Sequence, residues 1–147
     1  ISEAYSNKKD KYLKEKLKQA IFVSLTIGIV STIAIILFSK QVLLLMYKTT
    51  AGANYIAIMA PIFLLYYIEM PLSAFLQATG NPGKAMIDNL IGIIIKISLI
   101  FILGYFKIAL LNLVIAILVD IIVVTVLHFF NTKKIIKNVY KQANVYI

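Results

Sequence analysis

Residues 20–38 read AIFVSLTIGIVSTIAIILF, nineteen positions without a charge. As a helix rising about 1.5 Å per residue, such a run crosses a hydrocarbon core of roughly 30 Å. Three further stretches share its character: residues 55–80, 85–103 and 108–130 are apolar with only a few embedded polar groups. The whole 147-residue chain is 61% hydrophobic and 14% charged, with a mean hydropathy of +0.92. Soluble domains carry about 45–50% apolar and about 25% charged residues, so a water-exposed globule could not cover this much apolar side chain. The sequence therefore predicts an all-α, polytopic membrane helix bundle with four transmembrane helices at 20–38, 55–80, 85–103 and 108–130.

The polar remainder lies at the ends and in short connections. Residues 1–19 are rich in lysine, with Leu13, Leu17 and Ala20 at helical spacing. Residues 131–147 set Lys133, Lys134, Lys137 and Lys141 beside Ile135, Val139 and Tyr146. Both segments read as amphipathic helices lying on the membrane surface. Residues 42–47, beyond Lys40, are apolar but too short to cross and read as interfacial. KTTAGAN (48–54), NPGK (81–84) and GYFK (104–107) read as turns. All fifteen basic residues are lysines. Eleven of them fall in the lead-in, the 81–84 turn and the tail, which four spans place on one side. Only Lys40, Lys48 and Lys107 fall on the other. The positive-inside rule then puts both ends of the chain in the cytoplasm, in a multi-pass protein of the cell membrane. The chain starts at Ile1 rather than Met with no signal-peptide pattern, and it reads as part of a longer one.

Several chemistries find no support. With no cysteine and one histidine, disulfides, metal centres and catalytic triads are not expected, nor is a cofactor. Lysines confined to loops between apolar runs suit anionic lipid rather than nucleic acid. NPGK lacks the glycine spacing and the Lys-Ser/Thr of a phosphate loop.

Glu69, Lys96 and Asp120 stand deep in spans, where a charge costs about 2.5–3.5 kcal/mol on insertion scales. Their distances along the helices bring all three near the bilayer midplane. They are the candidates for lining a polar cavity or coupling an ion; the plain alternative is an ion pair that only holds helices together. Lys96 is expected to face the bundle with an acid beside it, Asp120 before Glu69, because the short 104–107 turn folds the third and fourth spans into a hairpin. Pro61 and Pro71 each remove a backbone donor, so the second span should kink at one or both. Ser24, Gly28 and Thr32 form a small-residue stripe suited to close helix packing. His128, one turn from the basic tail, reads as interfacial, with a proton relay as the alternative.

Three stretches carry a resemblance. ISEAYSNKKDKYLKEKLKQAI (1–21) resembles the basic loop leading into a span in stage V sporulation protein B-like and other polysaccharide-biosynthesis flippases. MPLSAFLQATGNPGKAMIDNLIGIIIKISLIFILG (70–104) is similar to that family's LQ-x-x-G turn followed by an apolar helix with an embedded lysine. The last span running into NTKKIIKN (131–138) resembles the helix closing a six-helix lobe. Ala78 stands where the LQ-G-x-G form of the turn has a further glycine. The resemblance implies part of one lobe, the C-terminal one, of a multidrug/oligosaccharidyl-lipid/polysaccharide transporter, with two lobes around a cavity and alternating access. It implies no enzymatic activity. Its partners would be membrane lipid, a lipid-linked oligosaccharide and the remaining helices of the same full-length chain. A lipid-linked saccharide flippase is the leading function, a cation-coupled multidrug antiporter the second, and a non-transporting structural membrane subunit the third.

The lysine asymmetry generates a direct test. In the full-length protein, a cysteine at Thr50 should react with an impermeant maleimide added outside intact cells, and one at Asn81 only after permeabilisation. Equal reaction of both from outside would overturn the orientation.

Overall fold

The computed structural model describes residues 10–105 and 109–143. The start of the lead-in (1–9), residues 106–108 at the 104–107 turn and the end of the tail with Tyr146 (144–147) lie outside the described residues. Five helices follow one another: α1 (Asp10–Tyr47), α2 (Ala53–Phe63), α3 (Tyr66–Ala78), α4 (Pro82–Gly104) and α5 (Ala109–Ala143). No strand occurs among the described residues. α1, α4 and α5 are each long and apolar enough to cross a membrane; α2 and α3, bent by 44° at their junction, pass the same test as a pair.

α1 has 38 residues and α5 has 35, lengths of about 57 and about 52 Å against a hydrocarbon core of about 30 Å. Both therefore project well beyond the membrane. Residues 10–19 and 131–143 are thus not separate helices lying on the surface, because no glycine or proline interrupts the helical register on either side of Ala20 or of Asn131. Residues 42–47 likewise form the last turns of α1.

The projecting ends meet. Leu13 and Leu17 of α1 are buried with Leu72, Phe75 and Leu76 of α3, Ala85 of α4, and Ile135 and Val139 of α5. This aliphatic core lies where the helices leave the apolar solvent, the region in which burying leucine or isoleucine is favourable. Deeper in the spans many buried positions are smaller or polar, Thr32, Ala60, Asn112, Ala116 and Asp120 among them, beside the buried Ile121 and Val124. Lipid tails are as apolar as leucine, so close approach and hydrogen bonds hold helices together there. Large side chains face outward instead, as with Phe22 (72% exposed) and Phe101 (78%). α4 and α5 share the most extensive contact, while α3 touches α1, α4 and α5.

The bend falls between the two prolines, at Leu64–Leu65, rather than at Pro61 or Pro71. The backbone tightens there: Leu64 N–H donates to Pro61 O, Leu65 N–H to Ile62 O, and Tyr67 N–H to Leu64 O, all three residues back. Pro71 sits buried inside a continuous α3. With Leu64 N–H directed to Pro61, the Ala60 carbonyl accepts a bond of 3.5 Å from the buried Thr32 hydroxyl of α1. A side chain from the neighbouring helix thereby serves backbone that the break exposes. The LQATGNP turn ends α3 in a Schellman motif, with Gly80 at φ 72°, Asn81 N–H donating to Leu76 O (2.8 Å) and Gly80 N–H to Gln77 O (3.1 Å). Pro82 then opens α4 at a position where its missing donor is not needed.

The small-residue stripe on α1 is a packing face. A Cβ placed on Gly28 would stand 2.6 Å from Tyr67 Cγ, so the Tyr67 ring occupies the space a side chain would take. Gly28→Val should therefore cost about 1–3 kcal/mol, and adding Tyr67→Ala should restore part of that loss. Thermal unfolding of the full-length protein in micelles measures both; an unchanged midpoint for Gly28→Val would refute the contact.

Candidate functional site

α4 and α5 meet along one polar seam. From Asp88, steps of four residues lead through Gly92 to Lys96 on one face of α4. Asp120, Val124 and His128 form the matching face of α5. The seam is closed at one end by Asn112, whose side-chain amide donates to Leu103 O (2.7 Å) in the last turn of α4. Near its middle the Lys96 ammonium donates to Asp120 Oδ2 at 2.6 Å, with the lysine side chain 28% and the aspartate 8% exposed. Gly92 makes the approach feasible: a Cβ there would collide with Asp120 Oδ1 and Val124 Cγ2.

Lys96 and Asp120 lie equally far along the chain from Ile108, so they face each other across the hairpin. The sequence reading set the turn at 104–107 and so displaced the two residues against each other. α4 instead runs through Gly104, and α5 begins at Ala109, which brings them level.

Glu69 is half-buried on α3. Its side chain makes no direct hydrogen bond or ion pair among the described residues, yet it is close enough to feel the charges of both Asp120 and Lys96. The half-buried Tyr66, one turn earlier, senses all three charges. The structure therefore brings Glu69, Lys96 and Asp120 into one electrostatic cluster, just after the bend flanked by Pro61 and Pro71.

A second polar node lies about 12 Å along α4 from the first. Asn131 donates its amide to both oxygens of Asp88, at 3.0 and 2.7 Å. His128 is wholly buried between the helices, with Nε2 at 3.5 Å from Ala85 O and 3.8 Å from Asp88 Oδ2. Its Nδ1 and the nearby Thr125 hydroxyl have no hydrogen-bond acceptor or donor among the described residues. The sequence reading passes over Asp88 because it stands close to the polar 81–84 turn. The available signal was its eight-residue separation from Lys96, which places both on one face. Among the described residues no three of His, Cys, Asp and Glu are grouped to hold a metal ion. The arrangement can neutralise charge inside a membrane.

Comparison with known proteins agrees with this architecture. The family model MatE matches residues 1–102, more than two-thirds of the chain. The chain belongs to the MatE family. It is a multi-pass membrane protein of the multidrug/oligosaccharidyl-lipid/polysaccharide superfamily. This MatE chain is 35% identical over 137 residues to stage V sporulation protein B of Bacillus subtilis, covering 92% of the chain and 26% of that relative. It is 28% identical over 138 residues to sporulation protein YkvU of the same organism, covering 93% of the chain and 31% of the relative. The chain thus spans about a quarter to a third of the length of these relatives. No solved structure matches it.

The ion pair predicts an asymmetric mutational response. Lys96→Met strands the Asp120 carboxylate and should cost about 3 kcal/mol, the low end of the usual range because Lys96 is partly exposed. Lys96→Met/Asp120→Asn should regain most of that stability. Unfolding of the full-length protein in micelles measures both, and a Lys96→Met loss below about 1 kcal/mol would show a weakly coupled, solvated pair.

Proposed function

We propose that the full-length protein is an alternating-access transporter that flips a lipid-linked saccharide from the cytoplasmic to the outer leaflet of the cell membrane. The chain's two ends lie in the cytoplasm in this reading, as the distribution of its lysines favours. The observation that carries the proposal is the Lys96–Asp120 pair in the middle of the α4–α5 seam of a MatE chain. An intramembrane ion pair marks a pathway because its charges stabilise one arrangement of helices and can be re-paired in another. Glu69 supplies the second acid: as α3 pivots at Leu64–Leu65, Lys96 exchanges Asp120 for Glu69. A lysine passed between two carboxylates gives two helix arrangements of similar energy, which alternating access requires. In this scheme the Lys96 ammonium meets the anionic headgroup of the substrate in the cavity between the lobes.

A cation-coupled multidrug antiporter is the second reading. It is favoured by Glu69, a half-buried carboxylate without a direct hydrogen bond that could take up and release a coupling cation.

Full-length protein reconstituted in liposomes separates the readings. With a fluorescent lipid-linked disaccharide, the native protein should make the inner-leaflet probe accessible to an external quencher. Lys96→Met should slow that movement at least tenfold, and adding Asp120→Asn should not restore it. Absence of flipping together with proton-driven efflux of an organic cation would establish the second reading. Absence of both activities would leave the structural-subunit reading.

A further inference from the structure

Between the projecting ends of α1 and α5 lies a groove of about 530 Å³ with Leu72 of α3 at its floor. Its chemistry changes in one direction along both helices. On α1, Lys14 stands toward the end of the bundle, with Leu17 and then Ile21 about 10 Å deeper. On α5, which runs the opposite way, Phe129 is deep and Lys133 and Lys137 stand toward the same end, one turn apart. Three lysines from two helices therefore rim a slot whose inner walls are apolar. Among the described residues no acidic side chain lines it. At the level between lysines and apolar wall lies Thr132, 3% exposed, whose hydroxyl has no hydrogen-bond partner among the described residues.

We propose that this groove binds one anionic diacyl phospholipid from the adjoining leaflet. The order of groups in the groove is the order of groups in such a lipid. A phosphate would meet Lys14, Lys133 and Lys137. The glycerol-ester region would lie at the level of Thr132, between the lysines and the apolar wall. The acyl chains would lie against Leu17, Ile21 and Phe129. A free phosphate or nucleotide would gain nothing from the apolar depth, and a zwitterionic lipid would bring no net negative charge to Lys133 and Lys137. Each lysine near a charged lipid surface contributes roughly fivefold in affinity. The inference rests on α1 and α5 crossing the membrane and is independent of any transport activity.

Native mass spectrometry of the full-length protein, delipidated in detergent and titrated with dioleoylphosphatidylglycerol, tests the site. The native protein should hold one phosphatidylglycerol more tightly than phosphatidylcholine. Lys14→Gln/Lys133→Gln/Lys137→Gln should weaken that binding more than tenfold, while the triple Arg variant keeps it. Ile136→Trp, which fills the groove without changing charge, should also displace the lipid. Lys40→Gln/Lys48→Gln, at the other end of α1, should leave binding unchanged. Retention by the triple Gln variant, equal binding of phosphatidylcholine, or equal loss in the Lys40/Lys48 control would overturn the site. So would a polyisoprenoid phosphate, rather than a diacyl phospholipid, in the lipid extract of the purified native protein.

Discussion

A charge placed in hydrocarbon must be matched, and in this protein one match organises the helices around it. Lys96 reaches Asp120 at 2.6 Å only because Gly92, one turn away, lets α5 lie against the α4 backbone. That contact sets the register of the whole hairpin. Asn112 then falls opposite Leu103, Val124 opposite Gly92, and His128 and Asn131 opposite Asp88. Shifting one helix by a turn would separate every one of these groups from its counterpart, each in a medium that offers no water as a substitute.

The molecule uses two kinds of packing in two solvents. Inside the spans, threonine, glycine, alanine and paired polar groups make many of the contacts, with Ile121 and Val124 buried beside them, and most of the bulky aliphatic side chains face outward. Beyond them, at the lysine-rich ends, leucine and isoleucine from α1, α3 and α5 form an ordinary aliphatic core. The long helices are what join these regimes, since α1 and α5 carry the bundle from hydrocarbon into the polar zone without interruption. The one interruption is at Leu64–Leu65, where three-residue hydrogen bonds replace four-residue ones and the neighbouring Thr32 serves the Ala60 carbonyl.

Charge along the seam is divided between a central node that is partly open and an end node that is closed. Lys96 and Asp120 have a third ionisable group, Glu69, within range of their charges. Asp88 has both oxygens occupied by Asn131, and His128 is sealed beneath it. Both nodes join α4 to α5, the first partly open and the second fully buried. This division is consistent with a transporter in which the α4–α5 hairpin moves as a unit while α3 pivots beside it.

Apolar length and composition alone determined that the chain is helical and lives in a membrane, because no other solvent accommodates such runs. The LQATGNP turn was equally plain, since Gly80 supplies a positive φ and Pro82 a helix start. Lys96, Asp120 and Glu69 were visible as charges where charge is costly. Their arrangement was decided by tertiary structure: the ends of α4 and α5 set which residues lie opposite, and a shift of a few residues in a turn changes every pair. The continuation of the lead-in and tail as parts of α1 and α5 was also decided there, because an amphipathic pattern is the same whether its apolar stripe meets a bilayer surface or another helix. Asp88, and with it the contacts of His128, escaped notice for a related reason. Their meaning lies in a contact between residues forty positions apart, and periodicity reports which face a residue occupies without saying what that face touches.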